Sequence, residues 1–221
     1  WQGYVDLNFE NLGGTDRSAG FFWENRQEQH TSIELRYHES GWNIPVGGDF
    51  FLYREEMDST WVEVSFLAEV YWYDLFNKFG GYLERQYIYP GSRRPEIIIQ
   101  TEFTKAGILW KSSSLDNQLN PAKGSETELR YYYIWSDAEG EKSSRQAVEL
   151  RYFGALPIYK RWVLGADVNA NVIENKELTD FDIFYLGGAK SLRGYLEKQF
   201  SGYQVGWLNL EARYLLSRRA R

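Results

Sequence analysis

No cysteine occurs in the chain, which removes disulfides and thiolate metal sites and agrees with an exported protein. No apolar run approaches the roughly 18 residues of a membrane-crossing helix, so any membrane span must be built from strands. Clustered basic residues are scarce as well. The formal net charge is -6, and only the tail residues Arg218, Arg219 and Arg221 are locally basic. Binding a phosphate backbone draws on grouped Lys and Arg, so nucleic acid is not expected as a partner. Zinc spacings, phosphate cradles and a nucleophile elbow are missing, and neither a metal nor a cofactor is expected. The chain opens at Trp1 with no initiator methionine and no charged-then-apolar leader, which is expected of a processed or shortened chain rather than of an intact precursor.

What the chain does have is aromatic side chains: 9 Trp, 17 Tyr and 13 Phe make up 18% of 221 residues, beside 25% charged residues. The mean hydropathy is nevertheless -0.55. A soluble domain reaches that average with aromatics inside and charges outside. A membrane barrel reaches it with apolar side chains toward lipid and charges toward a wet interior. The length suits one domain with a sizeable interior or one closed barrel, and residues 1–221 are expected to form a single domain.

Period-two alternation runs through the chain. From Gly124, Leu129, Tyr131, Tyr133 and Trp135 oppose Glu126, Glu128 and Arg130. Further on, Leu164, Val168 and Val172 oppose Asp167, Asn169 and Asn171, and Leu208, Leu210 and Tyr214 oppose Asn209, Glu211 and Arg213. Toward the N-terminus, Val5, Leu7 and Phe9 oppose Asp6, Asn8 and Glu10, while Ile33, Leu35 and Tyr37 oppose Glu34, Arg36 and His38. Val62, Val64, Phe66, Val70 and Trp72 likewise oppose Glu63, Ser65 and Glu69. The stretches near 46–57 and 77–90 alternate poorly. The run from Ile97 to Trp110 changes phase near Lys105, which predicts a bulge.

The pattern predicts about 11 strands of about ten to fifteen residues, joined by turns such as Gly13-Gly14-Thr15-Asp16 and Asp137-Ala138-Glu139-Gly140, with no competing helical period. Strands that long suit a tilted bilayer span of about nine to eleven residues, whereas soluble strands average about five or six. Trp72, Trp135, Trp162 and Tyr214 fall at strand ends, where interfacial girdles sit. An aromatic-rich soluble sandwich, for instance one that binds carbohydrate, carries the same alternation and stays open on these grounds alone.

A glycine-rich segment stands apart from the strands. Phe184-Tyr185-Leu186-Gly187-Gly188 leads into Leu192-Arg193-Gly194-Tyr195, just before the strand containing Asn209-x-Glu211-x-Arg213. Glycines there let the backbone turn sharply and lie against other chain, and an arginine in such a loop seeks an anion. Far upstream, Asp116-Asn117-Gln118-Leu119-Asn120-Pro121-Ala122-Lys123-Gly124 forms a turn-rich stretch.

Taken in order and spacing, these three segments resemble the barrel of the BamA/TamA superfamily, the bacterial surface antigen type of outer-membrane barrel. The resemblance covers most of the chain and is strongest from residue 107 onward. It implies an all-β fold, an antiparallel transmembrane β-barrel in the bacterial cell outer membrane, with about 12 to 16 strands if complete. It also implies that Gly187, Gly188, Leu192, Arg193, Gly194 and Tyr195 form a long external loop folded into the lumen. Asn209, Glu211 and Arg213 would be inward partners of that loop on the next strand, and Asp116, Asn120, Pro121 and Gly124 would shape a periplasmic turn.

Departures from the family pattern accompany the likeness. Aligned by its loop, the chain leaves about four strands to follow Arg221 and about one to precede Trp1. The next strand's Phe-x-Asp-x-Gly motif, the terminal aromatic assembly signal and a preceding POTRA domain do not occur in it. An odd number of strands leaves its edge strands parallel, so the expectation is a truncated chain, a homo-oligomer or other partner completing the sheet, or a short relative.

The function implied is assistance to outer-membrane protein assembly or secretion, with membrane lipid and unfolded outer-membrane proteins as partners and no catalytic residues. The alternative is a passive transport pore, or a barrel that anchors a lipid-acting enzyme. Other charged residues have plainer roles: Glu128 with Arg130, and Glu149 with Arg151, suit cross-strand pairing. His30 and His38 are the only histidines. Glu55, Glu56 and Asp58 lack the spacing of a calcium loop.

Overall fold

The computed structural model describes residues 2–26, 30–41, 44–57, 60–91, 99–174, 183–188, 191–196 and 199–216. Trp1, Asp58 and the basic tail Arg218, Arg219 and Arg221 lie outside the described residues. Eleven strands form one antiparallel sheet. They are β1 (Gly3–Phe9), β2 (Ser18–Arg26), β3 (His30–Glu39), β4 (Val46–Met57), β5 (Trp61–Tyr73), β6 (Asn77–Pro90), β7 (Thr101–Ser113), β8 (Gly124–Ala138), β9 (Glu141–Tyr159), β10 (Trp162–Glu174) and, last in the order, β13 (Gln204–Tyr214). Two short strands, β11 (Phe184–Leu186) and β12 (Phe200–Gly202), pair with each other between β10 and β13 in sequence. No helix among the described residues is long and apolar enough to cross a membrane.

The chain divides into two compact units. The first comprises 1–73, 80–108 and 133–144, the second 74–79, 109–132 and 145–221. In the first unit, register lines side chains up across five strands. Leu7, Phe21, Leu35, Leu52 and Phe66 form one row, and Phe9, Ala19, Tyr37, Phe50 and Ala68 the next. Between these apolar rows, Asn8, Gly20, Arg36, Phe51 and Leu67 point to the opposite face. That face carries ionic contacts: Arg36 reaches Asp6 at 3.2 Å, and Lys105 reaches Glu84 at 3.0 Å.

In the second unit, Gly154, Ala166 and Leu210 share a row, as do Tyr152, Val168 and Leu208, while Phe153, Asp167 and Asn209 fall on the other face. Exposure decides which face is which. Leu164, Val168, Val172, Leu208 and Leu210 are exposed, and Val163, Asn169 and Ile173 are buried. The greasy rows are therefore uncovered and the polar rows covered, the inverse of a soluble sandwich, where the apolar rows of two sheets interdigitate.

Burial also corrects one expectation. On β7, Thr101, Phe103 and Leu109 are buried while Ile108 and Trp110 are exposed, so alternation keeps one phase through Lys105. The sequence pattern had pointed to a bulge because Phe103 is a large apolar residue on the covered face, where polar neighbours were expected. Strand β6 alternates poorly for the same reason, since Tyr82 and Ile88 are buried on its covered side.

Turn chemistry follows short-range rules. Asp74, after β5, accepts the backbone N–H groups of Phe76 and Asn77 through Oδ1, each at 2.8 Å, and these donors hold its carboxyl below the ordinary aspartate value. Trp72, Trp135, Trp162 and Tyr214 are all exposed near the ends of their strands.

Candidate functional site

The arginine loop leaves β11 at Gly187 and returns to β12 at Phe200. Gly187 has φ of +124°, and a Cβ there would run into the Leu196 carbonyl oxygen, so the return of the loop depends on the missing side chain. Ser191 Oγ locks the turn by accepting the Gly187 N–H at 2.8 Å and donating to the Gly187 carbonyl at 3.0 Å. Gly188 N–H donates to the Tyr195 carbonyl at 3.1 Å. The Tyr195 ring meets Phe200 edge-on, with centroids 5.1 Å apart. Leu192 is half-buried, while Gly194 and Tyr195 are exposed.

Strand β13 meets this loop with alternate side chains of its covered face, which period-two geometry places in one row. Asn209 Nδ2 donates to the Ser191 carbonyl at 2.7 Å. Two residues on, Glu211 Oε2 lies 3.5 Å from Arg193 Nη1, and its Oε1 lies 3.1 Å from Arg213 Nη2. One carboxylate thus serves two guanidiniums, one per oxygen. The two are unequal, because the Arg193 side chain is 73% exposed and that of Arg213 only 21%. Solvent screens the first pair strongly and the second less. Gly165 of β10 sits directly opposite Glu211. A Cβ on it would lie 2.8 Å from Arg213 Nη2 and 2.9 Å from Glu211 Cγ, so this glycine leaves room for the ion pair to lie flat on the strand.

Arg213 continues the row to the 116–124 turn. Its Nη1 donates to the Pro121 carbonyl at 3.1 Å and to Asn120 Oδ1 at 3.4 Å, and its Cζ lies 5.6 Å from the Phe153 ring centre. The turn has its own internal fixings. Asp116 Oδ1 accepts the N–H groups of Ala122 and Lys123 at 2.9 and 3.1 Å. Gly124 has φ of +103°, and a Cβ there would collide with the Ser114 carbonyl oxygen.

All the singled-out residues of the loop, the strand and the turn therefore fall in one unit, linked through Asn209, Glu211 and Arg213. The remaining charged pairs are arranged differently. Arg130 donates to Glu128 along its own strand at 2.8 Å, Glu149 accepts the Tyr132 hydroxyl at 2.5 Å, and Arg151 lies 3.6 Å from Asp167. His30 faces Glu55 at 2.5 Å and His38 faces Asp49 at 2.6 Å, both across β3 and β4. Glu56 pairs with Arg54 at 2.9 Å. Among the described residues, no three His, Cys, Asp or Glu side chains gather as a metal site would require.

Two contributors were not singled out by sequence reasoning. Ser191 acts through one hydroxyl and its main-chain carbonyl, and a Gly-x-x-x-Ser spacing is too common to notice. Gly165 is a small residue inside a strand, a recognised sign of close approach, and that signal could have found it.

Comparison with known proteins bears on the family and the fold. The profile of the Omp85 superfamily domain matches residues 13–206. Among solved structures, the crystal structure of BamA from Haemophilus ducreyi lacking POTRA domains 1-3 is similar, with a TM-score of 0.62 and 16% sequence identity over 88% of this chain. The match covers 43% of that protein's chain, so this chain spans less than half its length. No curated protein matches. At that identity the structural likeness speaks for the fold, an outer-membrane β-barrel type, while the profile covers most of the sequence. The chain belongs to the Omp85 superfamily.

Proposed function

We propose that this chain is the wall of an outer-membrane barrel that helps insert or translocate outer-membrane proteins, and that it works mechanically, without catalysis. The observation that carries this reading is the loop laid against β13 through Asn209–Ser191 and Glu211–Arg193. A simple pore has no need of such a brace. A wall that parts along one seam does, because the brace holds strand register while neighbouring ladder bonds are broken.

In this reading the exposed apolar rows meet lipid and the covered ionic rows line a hydrated interior. A strand edge offers unpaired N–H and C=O groups to a client β-strand, which adds to the sheet by main-chain pairing. Among the described strands, β1 has β2 as its one neighbour in the sheet. Unfolded outer-membrane proteins are the proposed clients and the bacterial outer membrane the proposed location.

The test is reconstitution of the intact protein in liposomes with an unfolded outer-membrane client, following client folding by its shift on unheated gels. Faster client folding, reduced by Glu211→Ala, is expected. Ion conductance with no effect on client folding would replace this reading with a passive pore.

A further inference from the structure

The β9–β10 hairpin end carries a feature the protein-handling reading does not use. Its connection consists of Lys160 and Arg161, the short kind of turn that faces the periplasm in outer-membrane barrels. Tyr159 and Trp162 flank these cations, and Tyr214, at the end of β13, packs edge-on against Trp162 with centroids 5.3 Å apart. All three rings are exposed. Lys160 Nζ lies 5.0 Å from the Tyr159 ring centre. Arg161 is tied to the chain after β13: its carbonyl accepts the Leu215 N–H at 2.8 Å and its Nη1 donates to the Leu216 carbonyl at 3.3 Å. Residues 156–164 and 212–216 contain no acidic side chain.

We infer that this rim is a binding site for the headgroup of an anionic phospholipid in the periplasmic leaflet. Two adjacent cations with no carboxylate in either flanking stretch suit a phosphodiester. The site is continuous with the exposed row of Leu156 and Leu164, and Leu210 lies nearby in the same face, so the acyl chains of the same molecule run down an apolar surface. That continuity selects a lipid over free phosphate, which would gain nothing from the apolar rows. The aromatic trio supplies the amphipathic surface that sits at headgroup level. Because the site lies at the junction of β10 and β13, it would place a lipid beside the strand that carries the loop contacts.

Native mass spectrometry of the intact protein in detergent, titrated with dioleoyl phosphatidylglycerol or dioleoyl phosphatidylcholine, tests this. Wild-type protein should retain the glycerol lipid preferentially. The double variant K160Q/R161Q should bind it about ten- to thirty-fold more weakly, the scale of two cations beside an anionic leaflet, with choline lipid binding unchanged. Trp162→Ala should weaken both lipids by a similar factor, because its contact does not depend on headgroup charge. Unheated gel mobility verifies that each variant is folded. Equal retention of the two lipids by wild type, or undiminished glycerol lipid binding by K160Q/R161Q, would overturn the inference. So would displacement of the lipid by millimolar inorganic phosphate.

Discussion

Replacing Arg213 with methionine probes the row on β13 at a side chain better covered than its neighbour Glu211. Methionine keeps most of the stem's packing and removes the guanidinium. The 3.1 Å bond to the Pro121 carbonyl is charge-assisted and partly shielded, worth about 1.5 to 3 kcal/mol. The 3.4 Å contact with Asn120 is long and adds little. The pair with Glu211 is partly exposed and contributes about 0.2 to 1 kcal/mol, and the cation over Phe153 about 0.5 to 1 kcal/mol. Arg213→Met should therefore cost about 2 to 5 kcal/mol, with the Pro121 bond the largest contribution. Urea unfolding of the intact protein in lipid vesicles, followed by tryptophan fluorescence, measures the loss. Arg213→Lys should recover about half, because a single ammonium can satisfy Glu211 or Pro121 but lacks the fork to bridge both. A loss below about 0.5 kcal/mol for methionine, or equal losses for both variants, would refute the reasoning.

Arg193→Ala should raise protease cleavage within residues 183–202, and the difference from wild type should shrink in about 1 M salt, where the Debye length is only about 3 Å. Cleavage that does not change at any salt concentration would argue against a loop held by Glu211. Asp74 supports its turn as a carboxylate, so its depressed folded-state value makes the contribution complete above the ordinary aspartate pKa of about 3.9 and lost as pH falls through the folded value below it. Amide exchange at Phe76 and Asn77 should hence stay protected, after correction for intrinsic rates, from pH 7 to 5 and loosen only in stronger acid; Asp74→Asn should abolish that dependence. Leu210, 65% exposed on the greasy face, should tolerate phenylalanine, whereas Leu210→Arg should destabilise the barrel by about 2 to 4 kcal/mol if it lies near the bilayer midplane, as vesicle unfolding would report.

The strands were legible because their side chains obey a period of two. The runs around Leu129–Trp135, Leu164–Val172 and Leu208–Tyr214 announce themselves without any family knowledge. Which face is covered was not legible from the period, since Leu208 and Asn209 alternate identically in a sandwich and in a membrane wall. Phe103 shows the limit most clearly: a covered face that accepts both ions and large rings blurs the contrast that periodicity needs. At the site, Arg193, Asn209 and Glu211 stood out by motif and spacing. The Ser191 carbonyl did not, because main-chain acceptors carry no sequence signature. The Arg213 bond to the Pro121 carbonyl joins segments far apart in the chain, and only the fold brings them together.

The inverted exposure of the strands also bears on how the chain comes to be folded. Glu69, Arg145 and Asn169 are buried, as are Tyr71 and Phe103, while many large apolar residues, among them Leu35, Leu164 and Leu208, stay uncovered. Collapse in water therefore relieves little of the penalty on apolar surface that drives ordinary folding, and it confines charges. The reward arrives only when hydrocarbon replaces water around the outside, so acquiring structure and entering the bilayer become a single event.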